Sequence, residues 1–136
     1  MIKVLIVDDH SFVRATLASV LAQAEGVEVV GECADGSEVS AMVAAVSPDV
    51  VLMDVHMPVL DGISSTSSLR LQRPSVRVLI LTAAIKRTTI EDAADAGAVG
   101  CMLKGRDPHL LVKAIRTVAA GGTVWPDQKL VSVGAG

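Results

Sequence analysis

Aromatic residues are almost absent from this sequence. One Phe, one Trp and no Tyr occur among 136 residues, at Phe12 and Trp125. Because 51% of the residues are nevertheless hydrophobic, the core has to be built from aliphatic side chains. That fraction, together with 20% charged residues, excludes a disordered or fibrous chain and is typical of a globular protein of one domain.

Cysteines are also scarce, and long apolar runs are missing. The two cysteines, Cys33 and Cys101, have neither metal-ligand spacing nor a disulfide pattern, so we expect reduced thiols in the core of a cytoplasmic protein. The first apolar run, residues 2–7, meets Asp8 too soon for a signal peptide or a membrane span. We therefore expect no membrane partner.

Positive charge is scarce in the first half of the chain. Residues 1–68 hold 2 basic and 10 acidic residues, a balance of −8, whereas residues 69–136 hold 10 and 5, a balance of +5. The net charge of −3 disfavours a DNA-binding domain, because phosphate binding needs clustered Lys and Arg. The acidic surplus of the first half needs another explanation.

Short aliphatic runs alternate with helical patterns five times along the chain. Runs of this kind are typical of parallel strands buried on both faces, and the more polar second run predicts an edge strand. The predicted strands are residues 2–7, 27–33, 50–53, 76–81 and 99–103. The predicted helices are residues 12–24, 37–46, 62–71, 88–96 and 108–120. This alternation predicts a doubly wound α/β fold with a five-stranded parallel sheet and five helices.

The helix ends carry recognisable signals. Ser11 is the predicted N-cap of the first helix. Asp107 and Pro108 predict the start of the last helix, and Gly121 predicts its end. The third helix is the weakest prediction, because the hydroxyl side chains of residues 64–68 compete for its backbone hydrogen bonds.

Polar side chains follow four of the five predicted strands. Asp8 and Asp9 follow the first strand, Asp54 the third, Thr82 the fourth and Lys104 the fifth. Ligands of doubly wound sheets bind beyond the carboxyl ends of the strands. We therefore expect these five side chains to meet in one crevice.

The predicted crevice has a definite chemistry. Three carboxylates in a small volume repel one another unless a cation or a proton neutralises them. An all-oxygen cluster suits Mg²⁺. Lys104 suits an incoming anion, and the Thr82 hydroxyl can hydrogen-bond a phosphoryl oxygen. The groups together favour phosphoryl transfer onto a carboxylate. Asp54 lies between the metal site and the anion site in the sheet order and is the predicted nucleophile.

The sequence resembles the receiver domain of bacterial two-component response regulators from Met1 to about Gly122. The matching motifs are I-V-D-D-H (6–10), L-M-D-V-H-M-P-V-L-D-G (52–62), V-L-I-L-T (78–82) and G-A-V-G-C-M-L-K (97–104). His10 and the motif A-I-R-x-V-x-x-G (114–121) look most like the LuxR-type transcription factor branch. The resemblance implies a flavodoxin-like receiver fold with strand order 2-1-3-4-5.

The resemblance also implies roles for the site residues. Asp54 would accept a phosphoryl group from the phosphohistidine of a sensor histidine kinase. Mg²⁺ would bind Asp9, Asp54 and the backbone carbonyl of His56, with Asp8 in support. His10 adjoins the metal site but lacks ligand spacing, so no metal role is predicted for it. The protein would not be an enzyme beyond its own phosphorylation and dephosphorylation.

The switch positions depart from the family pattern at one residue. Thr82 and Lys104 are implied to contact the phosphoryl group and signal its presence. Receivers usually carry Tyr or Phe where this sequence has Cys101, which is too small to fill the same pocket. Either switching works through Thr82 and the backbone, or the switch is weak or atypical. The alternative function is a receiver that signals by protein contact without phosphorylation.

The resemblance divides the chain into a receiver domain, residues 1–121, and a linker or tail, residues 122–136, whose composition favours mobility. A helix-turn-helix domain follows the receiver in the LuxR-type branch, and residues 123–136 are too short to form one. We expect a piece of a longer transcription factor rather than a stand-alone receiver, with DNA bound only through that further domain. A phosphorylation-dependent homodimer is also expected. Its face would include the fourth helix, fifth strand and fifth helix, or the first and fifth helices.

Two other protein classes fit less well. Haloacid-dehalogenase-type phosphatases share the Asp nucleophile, Thr, Lys and Mg²⁺, but they require a second Asp where this sequence has His56. A flavodoxin-like nucleotide binder would need a phosphate-binding glycine loop after the first strand, and none is present.

Overall fold

The computed structural model describes residues 1–57 and 59–126. Its strands are β1 (Ile2–Val7), β2 (Val27–Cys33), β3 (Val50–Asp54), β4 (Arg77–Thr82) and β5 (Gly100–Leu103). Its α-helices are α1 (Ser11–Ala22), α2 (Val39–Val46), α3 (Gly62–Gln72), α4 (Arg87–Ala96) and α5 (Pro108–Ala119), and a 3₁₀ turn (Gly36–Glu38) precedes α2. All strands pair in parallel in the order β2-β1-β3-β4-β5. The predicted doubly wound, flavodoxin-like fold is confirmed.

The aliphatic strands separate two hydrophobic clusters. Alternate residues of the central strands point to opposite faces of the sheet, as the two-residue period of a strand requires. One cluster, the α2–α4 cluster, includes Leu5, Met53, Ile80 and Cys101 of the strands, with buried residues from α2, α3 and α4. The other, the α1–α5 cluster, includes strand residues such as Leu52 with buried residues from α1 and α5. Each face is therefore covered by helices, which explains why the strands need almost no polar residues.

The strand order reverses between β1 and β3. β1 pairs with β2 on one side and with β3 on the other. The segments that leave the carboxyl ends of β1 and β3 therefore diverge to opposite faces of the sheet and leave a crevice between them. The crevice lies where Asp8 and Asp54 end their strands.

The first helix begins differently from the prediction. Ser11 is its first helical residue, and His10 occupies the N-cap position without a capping side-chain hydrogen bond. The predicted Ser11 cap is therefore wrong. The His10 imidazole instead contacts the carboxylates of Asp8 and Asp9. The Asp107 cap of α5 is confirmed, because its side chain accepts a hydrogen bond from the His109 amide.

The Ser-rich helix α3 is stabilised by its surroundings. Asp61 caps its first turn by accepting a hydrogen bond from the Ser64 amide at 2.8 Å. The buried Thr66 hydroxyl donates to the Gly62 carbonyl at 2.7 Å, and the buried Ser65 hydroxyl donates to the Gly36 carbonyl at 3.4 Å. Two of the hydroxyls that weaken the helix prediction thus bond within the helix or to the 3₁₀ turn.

Residues 122–126 pack against the sheet edge. Val124 forms a parallel bridge with Gly100 of β5, and Trp125 is partly buried against the α2–α4 cluster. The remainder of the predicted linker, residues 127–136, lies outside the described residues, as does Pro58. None of the helices in the described ranges is long and apolar enough to cross a bilayer.

Candidate functional site

The sheet register places the polar strand ends beside one another. Asp54 pairs with Leu81, one residue before Thr82. The Lys104 amide donates to the Thr82 carbonyl at 2.8 Å, which continues the β4–β5 ladder past its last strand pair. The carboxyl ends of parallel strands lie at the same end of the sheet. The side chains at these ends therefore lie side by side: Asp8, Asp54, Thr82 and Lys104.

Lys104 joins two carboxylates from different strands. Its ammonium Nζ lies 2.6 Å from Asp8 Oδ2 and 2.9 Å from Asp54 Oδ1. The Asp8 side chain is only 2% exposed and the Lys104 side chain 20%. Two buried carboxylates therefore share one cation, and the arrangement retains net negative charge.

Asp8 is held by its backbone as well as its side chain. Its amide donates to the Cys33 carbonyl at 3.1 Å, and its carbonyl accepts from Arg14 Nη1 at 2.6 Å. The His10 amide donates to Asp8 Oδ1 at 2.9 Å. Arg14 also forms an ion pair with Glu32 at 3.2 Å, which ties α1 to β2. These contacts fix the turn that presents the carboxylates.

A cluster of potential metal ligands lies in the crevice. Asp8, Asp9, His10 and Asp54 each offer one ligand atom, and these atoms all lie within 4.8 Å of one another. The three carboxylates supply the hard oxygen donors that Mg²⁺ prefers, so the residues present fit this ion. Sequence reasoning missed His10, whose position directly after the Asp pair was the available signal. Its Nδ1 lies 2.9 Å from Asp9 Oδ1 and 3.2 Å from Asp8 Oδ1.

Burial and charge shift the protonation equilibria of the site. Burial raises the pKa of the Asp54 carboxyl above its ordinary 3.8, against the lowering effect of the hydrogen bond from Lys104. The neighbouring Asp8 charge raises this pKa further. Burial alone would lower the pKa of Lys104, but its hydrogen bonds to Asp8 and Asp54 outweigh burial, so this pKa is raised. Lys104 therefore stays cationic at neutral pH, and the ionised Asp54 is held at an energetic cost.

Thr82 and His56 line a cavity beside the carboxylates. The cavity has a volume of about 330 Å³, and its wall continues through residues 83–84 and the first turn of α4. The Thr82 hydroxyl donates to the Ala84 carbonyl at 3.1 Å and accepts from the Ala84 amide at 3.4 Å. It thus bonds to its own loop and would have to rotate to reach a group on Asp54. The His56 amide lies 3.4 Å from Asp54 Oδ1 as a weak donor.

Cys101 lies apart from these polar groups. It pairs with Ile80 in the sheet, is 1% exposed and belongs to the α2–α4 cluster. Burial raises the pKa of its thiol to about 11. The residue at the predicted switch position is therefore a neutral core side chain.

Comparison with known families agrees with this fold. The family model described as "Response regulator receiver domain" matches residues 4–116, most of the chain. The chain belongs to the response regulator receiver family. It is 39% identical over 128 residues to the transcriptional regulatory protein LnrK of Bacillus subtilis, covering 94% of this chain and 58% of LnrK. It is 40% identical over 121 residues to the response regulator GacA of Pseudomonas aeruginosa, covering 89% of this chain and 56% of GacA.

Solved structures of receivers superpose closely on the chain. A LuxR-family response regulator from Aurantimonas matches with a TM-score of 0.87 at 34% identity, covering 93% of this chain and 91% of that one. The receiver domain of a putative response regulator NarL from Mycobacterium tuberculosis matches with a TM-score of 0.84 at 32% identity, covering 88% and 97%. The relatives thus include LuxR-type regulators. The chain spans only about three fifths of the length of the curated relatives above.

Proposed function

We propose that the chain accepts a phosphoryl group on Asp54 from the phosphohistidine of a sensor histidine kinase. The observation that supports this most strongly is the Lys104 ammonium, which bridges Asp8 and Asp54 at 2.6 and 2.9 Å in a crevice with surplus negative charge. A cation placed against the predicted nucleophile is positioned to bind the charge of an incoming phosphoryl group.

In the proposed reaction, a carboxylate oxygen of Asp54 forms a bond to phosphorus while the P–N bond of phosphohistidine breaks. The imidazole leaves with the electron pair of that bond and takes up a proton. Lys104 and the His56 amide both bind Asp54 Oδ1, so we assign the attack to Oδ2. Thr82 would turn from Ala84 toward the phosphoryl oxygens. The chain acts as a signalling module that is consumed and regenerated, rather than as a turnover enzyme.

Asp8, Asp9 and Asp54 would hold Mg²⁺, with the His56 carbonyl as a further ligand. When bound, the ion would neutralise carboxylate charge and phosphoryl oxygens during transfer. The chain's own residues supply the orientation, because Arg14 and His10 fix the turn that carries the Asp pair.

The experiment is phosphorylation of the purified chain by a small-molecule phosphodonor with and without Mg²⁺, followed by intact mass. We expect the mass of one phosphoryl group to be added in the presence of Mg²⁺ and not in the presence of a chelator. Asp54→Asn should stay unmodified. Asp49→Asn is the matched control, because this exposed carboxylate lies before the opposite end of β3, and it should be modified like the original chain. An unmodified chain, or equal labelling of Asp54→Asn, overturns the proposal.

We also propose that phosphorylation promotes a homodimer and, in a longer cytoplasmic protein, controls a DNA-binding domain. The LuxR-type structural relatives support the DNA-binding domain. The dimer face would be α4, β5 and α5, or α1 and α5. Sedimentation of the chain with and without a phosphoryl mimic tests it, and an unchanged mass contradicts the dimer.

A further inference from the structure

The free edge of β5 carries a segment that comes from beyond α5. The Val124 amide donates to the Val99 carbonyl at 3.0 Å, and the Cys101 amide donates to the Val124 carbonyl at 2.9 Å. Residues 123–125, the docked segment, therefore extend the sheet past β5 by one bridge. Edge strands attract such additions because their backbone groups lack partners on one side.

The side chains of the docked segment follow the same sheet geometry. Val124 packs against the α1–α5 cluster, and Trp125 packs against the α2–α4 cluster, which contains Cys101. Neighbouring residues thus point to opposite faces, as in a strand. Gly100 permits this approach, because a Cβ there would lie 2.5 Å from the Val124 carbonyl oxygen and 2.9 Å from Leu79 Cδ1.

β5 connects the docked segment to the phosphoryl site. It has four residues, and Lys104 follows it directly. Cys101, which donates to Val124, lies three residues before Lys104, roughly 10 Å away along a strand. The Lys104 ammonium is held by Asp8 and Asp54. If the charge or the acceptor oxygens that Asp54 presents to Lys104 change, the resulting force therefore acts on β5, the strand that holds the docked segment.

We propose that the edge of β5 is a docking surface for residues 123–125 and that phosphorylation of Asp54 releases them. This rests on the proposed function. An acyl phosphate adds negative charge and acceptor oxygens at Asp54, which draws Lys104 and the end of β5 toward β3 and away from Val124. Two backbone hydrogen bonds and the packing of two partly buried side chains hold the segment. Each hydrogen bond contributes a small net free energy, so a displacement of β5 that breaks both bonds weakens the docking. The phosphorylation state of Asp54 thereby controls whether residues 123–125 stay bound to the edge of β5.

Trp125 is the only tryptophan in the chain and reports docking directly. The probe is beryllofluoride, a phosphoryl mimic, added with Mg²⁺ to the full 136-residue chain. We expect Trp125 emission to shift to longer wavelength and its quenching by acrylamide to increase. Hydrogen exchange of the Cys101 and Val124 amides should accelerate by about fivefold or more, since one net hydrogen bond corresponds to about that factor. Asp54→Asn should show none of these changes.

The coupling between binding of the mimic and docking of the segment can also be measured in the opposite direction. If the mimic weakens docking, undocking must strengthen binding of the mimic by the same factor. Val124→Pro removes the amide that donates to Val99, whereas the matched control Val124→Ala keeps both backbone hydrogen bonds. We expect Val124→Pro to show the released emission without the mimic and to bind beryllofluoride about fivefold more tightly than Val124→Ala.

The outcomes separate the two proposals. If the phosphodonor labels Asp54 but Trp125 emission and both amides stay unchanged, the coupling is wrong and the proposed function stands. If no phosphoryl group is added, both fail. If Val124→Pro does not fold, hydrogen exchange on the original chain still tests the proposal. Unchanged protection of the Cys101 and Val124 amides with the mimic bound would overturn the proposed release of the docked segment.

Discussion

Asp54 is the residue on which the energetics of the site depend. Its carboxylate is 4% exposed, and burial raises its pKa even with Lys104 at 2.9 Å. The native state therefore binds a proton at Asp54 more tightly than the unfolded chain does. By linkage, stability falls as pH rises from the ordinary 3.8 through the native pKa, and the ionised form remains costly above it.

We predict that Asp54→Asn, measured in a chelator, is more stable than the original chain at pH 7 by about 1 kcal/mol, because a buried charge is removed. The difference should shrink as pH falls, since the native carboxyl then becomes protonated. Urea unfolding at pH 7 and pH 4.5 checks both points. The exposed Asp49→Asn controls for loss of one negative charge, and an Asp54→Asn variant that is less stable at pH 7 would contradict the prediction.

Val59 carries backbone strain next to the site. Its φ is +69°, a left-handed conformation that is unfavourable for a β-branched residue. The side chain is 85% exposed, so it contributes little packing. Val59→Gly should therefore raise stability by about 1 kcal/mol, or roughly 4 °C in Tm. Ser47, whose φ is also positive at +46°, is the position with which Val59 is compared.

Ser47→Gly should give a smaller gain than Val59→Gly, because Ser is not β-branched. Thermal unfolding of the two variants side by side measures the difference. Equal gains would show that the strain at Val59 does not come from its branched side chain.

The strand-end residues could be predicted at this scale because their position depends only on the sheet. Asp8, Asp54 and Lys104 each follow an aliphatic run, and parallel strands bring those ends together. His10 and Arg14 could not be predicted in the same way. Their contacts to Asp8 depend on how the first turn of α1 sits on the β1 end, which no periodic pattern encodes.

At the scale of elements, the junction of β3 and α3 is the tightest in the site. The Gly62 amide donates to the Val55 carbonyl at 3.0 Å, and a Cβ on Gly62 would overlap the Asp54 carbonyl oxygen. The start of α3 therefore rests directly on the backbone of the predicted nucleophile. Only glycine allows this approach.

Gly62→Ala should lower the free energy of unfolding by at least about 2 kcal/mol, because either α3 or the Asp54 backbone has to move. Phosphorylation of the folded variant should also be slower. Ser64→Ala is the control, since Ser64 is exposed on the same helix, and it should change stability by less than about 0.5 kcal/mol. Equal urea midpoints for the two variants would mean that the junction is not tight.

The elements differ in how much of them the sequence predicts. The five strands follow from aliphatic runs, and the bounds of α5 follow from Asp107 and Pro108 at its start and Gly121 after its end. Helix α3 is predicted with nearly its observed bounds, 62–71 against Gly62–Gln72. Its sequence nevertheless favours a helix only weakly, because the Ser65 hydroxyl finds its partner, the Gly36 carbonyl, only in the folded chain. The docked segment leaves no signal, because backbone pairing by Val124 requires no side-chain period.

At the scale of the whole molecule, β5 and the residue that follows it take part both in the contact between the acidic and basic halves of the chain and in the hydrophobic core. Among the described residues, both ion pairs that join the acidic half to the basic half are made by Lys104. The strand that Lys104 directly follows, β5, places Cys101 in the core, in one cluster with Cys33 of β2. Both cysteines are free and buried, as predicted. The core therefore contains two ionisable groups that stay neutral at physiological pH.

Because of these two thiols, the free energy of unfolding depends on pH in the alkaline range. Burial is the main cause that raises the pKa of each from 9.0 to about 11. Well below pH 9 both states keep the proton, so the stabilisation is complete. Between pH 9 and pH 11 the unfolded chain releases protons that the native state retains, and stability is lost, by up to about 3 kcal/mol per thiol at the upper end.

We predict that urea-unfolding free energies of the original chain fall more steeply between pH 9 and pH 11 than those of a Cys33→Ala, Cys101→Ala double variant. The double variant starts lower because two side chains are shortened in the core, but the slope against pH is the diagnostic quantity. Lys and Arg titration is common to both proteins and cancels in the comparison. Parallel slopes would contradict the prediction, since thiols that ionised equally in both states could not have been excluded from water by the packed α2–α4 cluster.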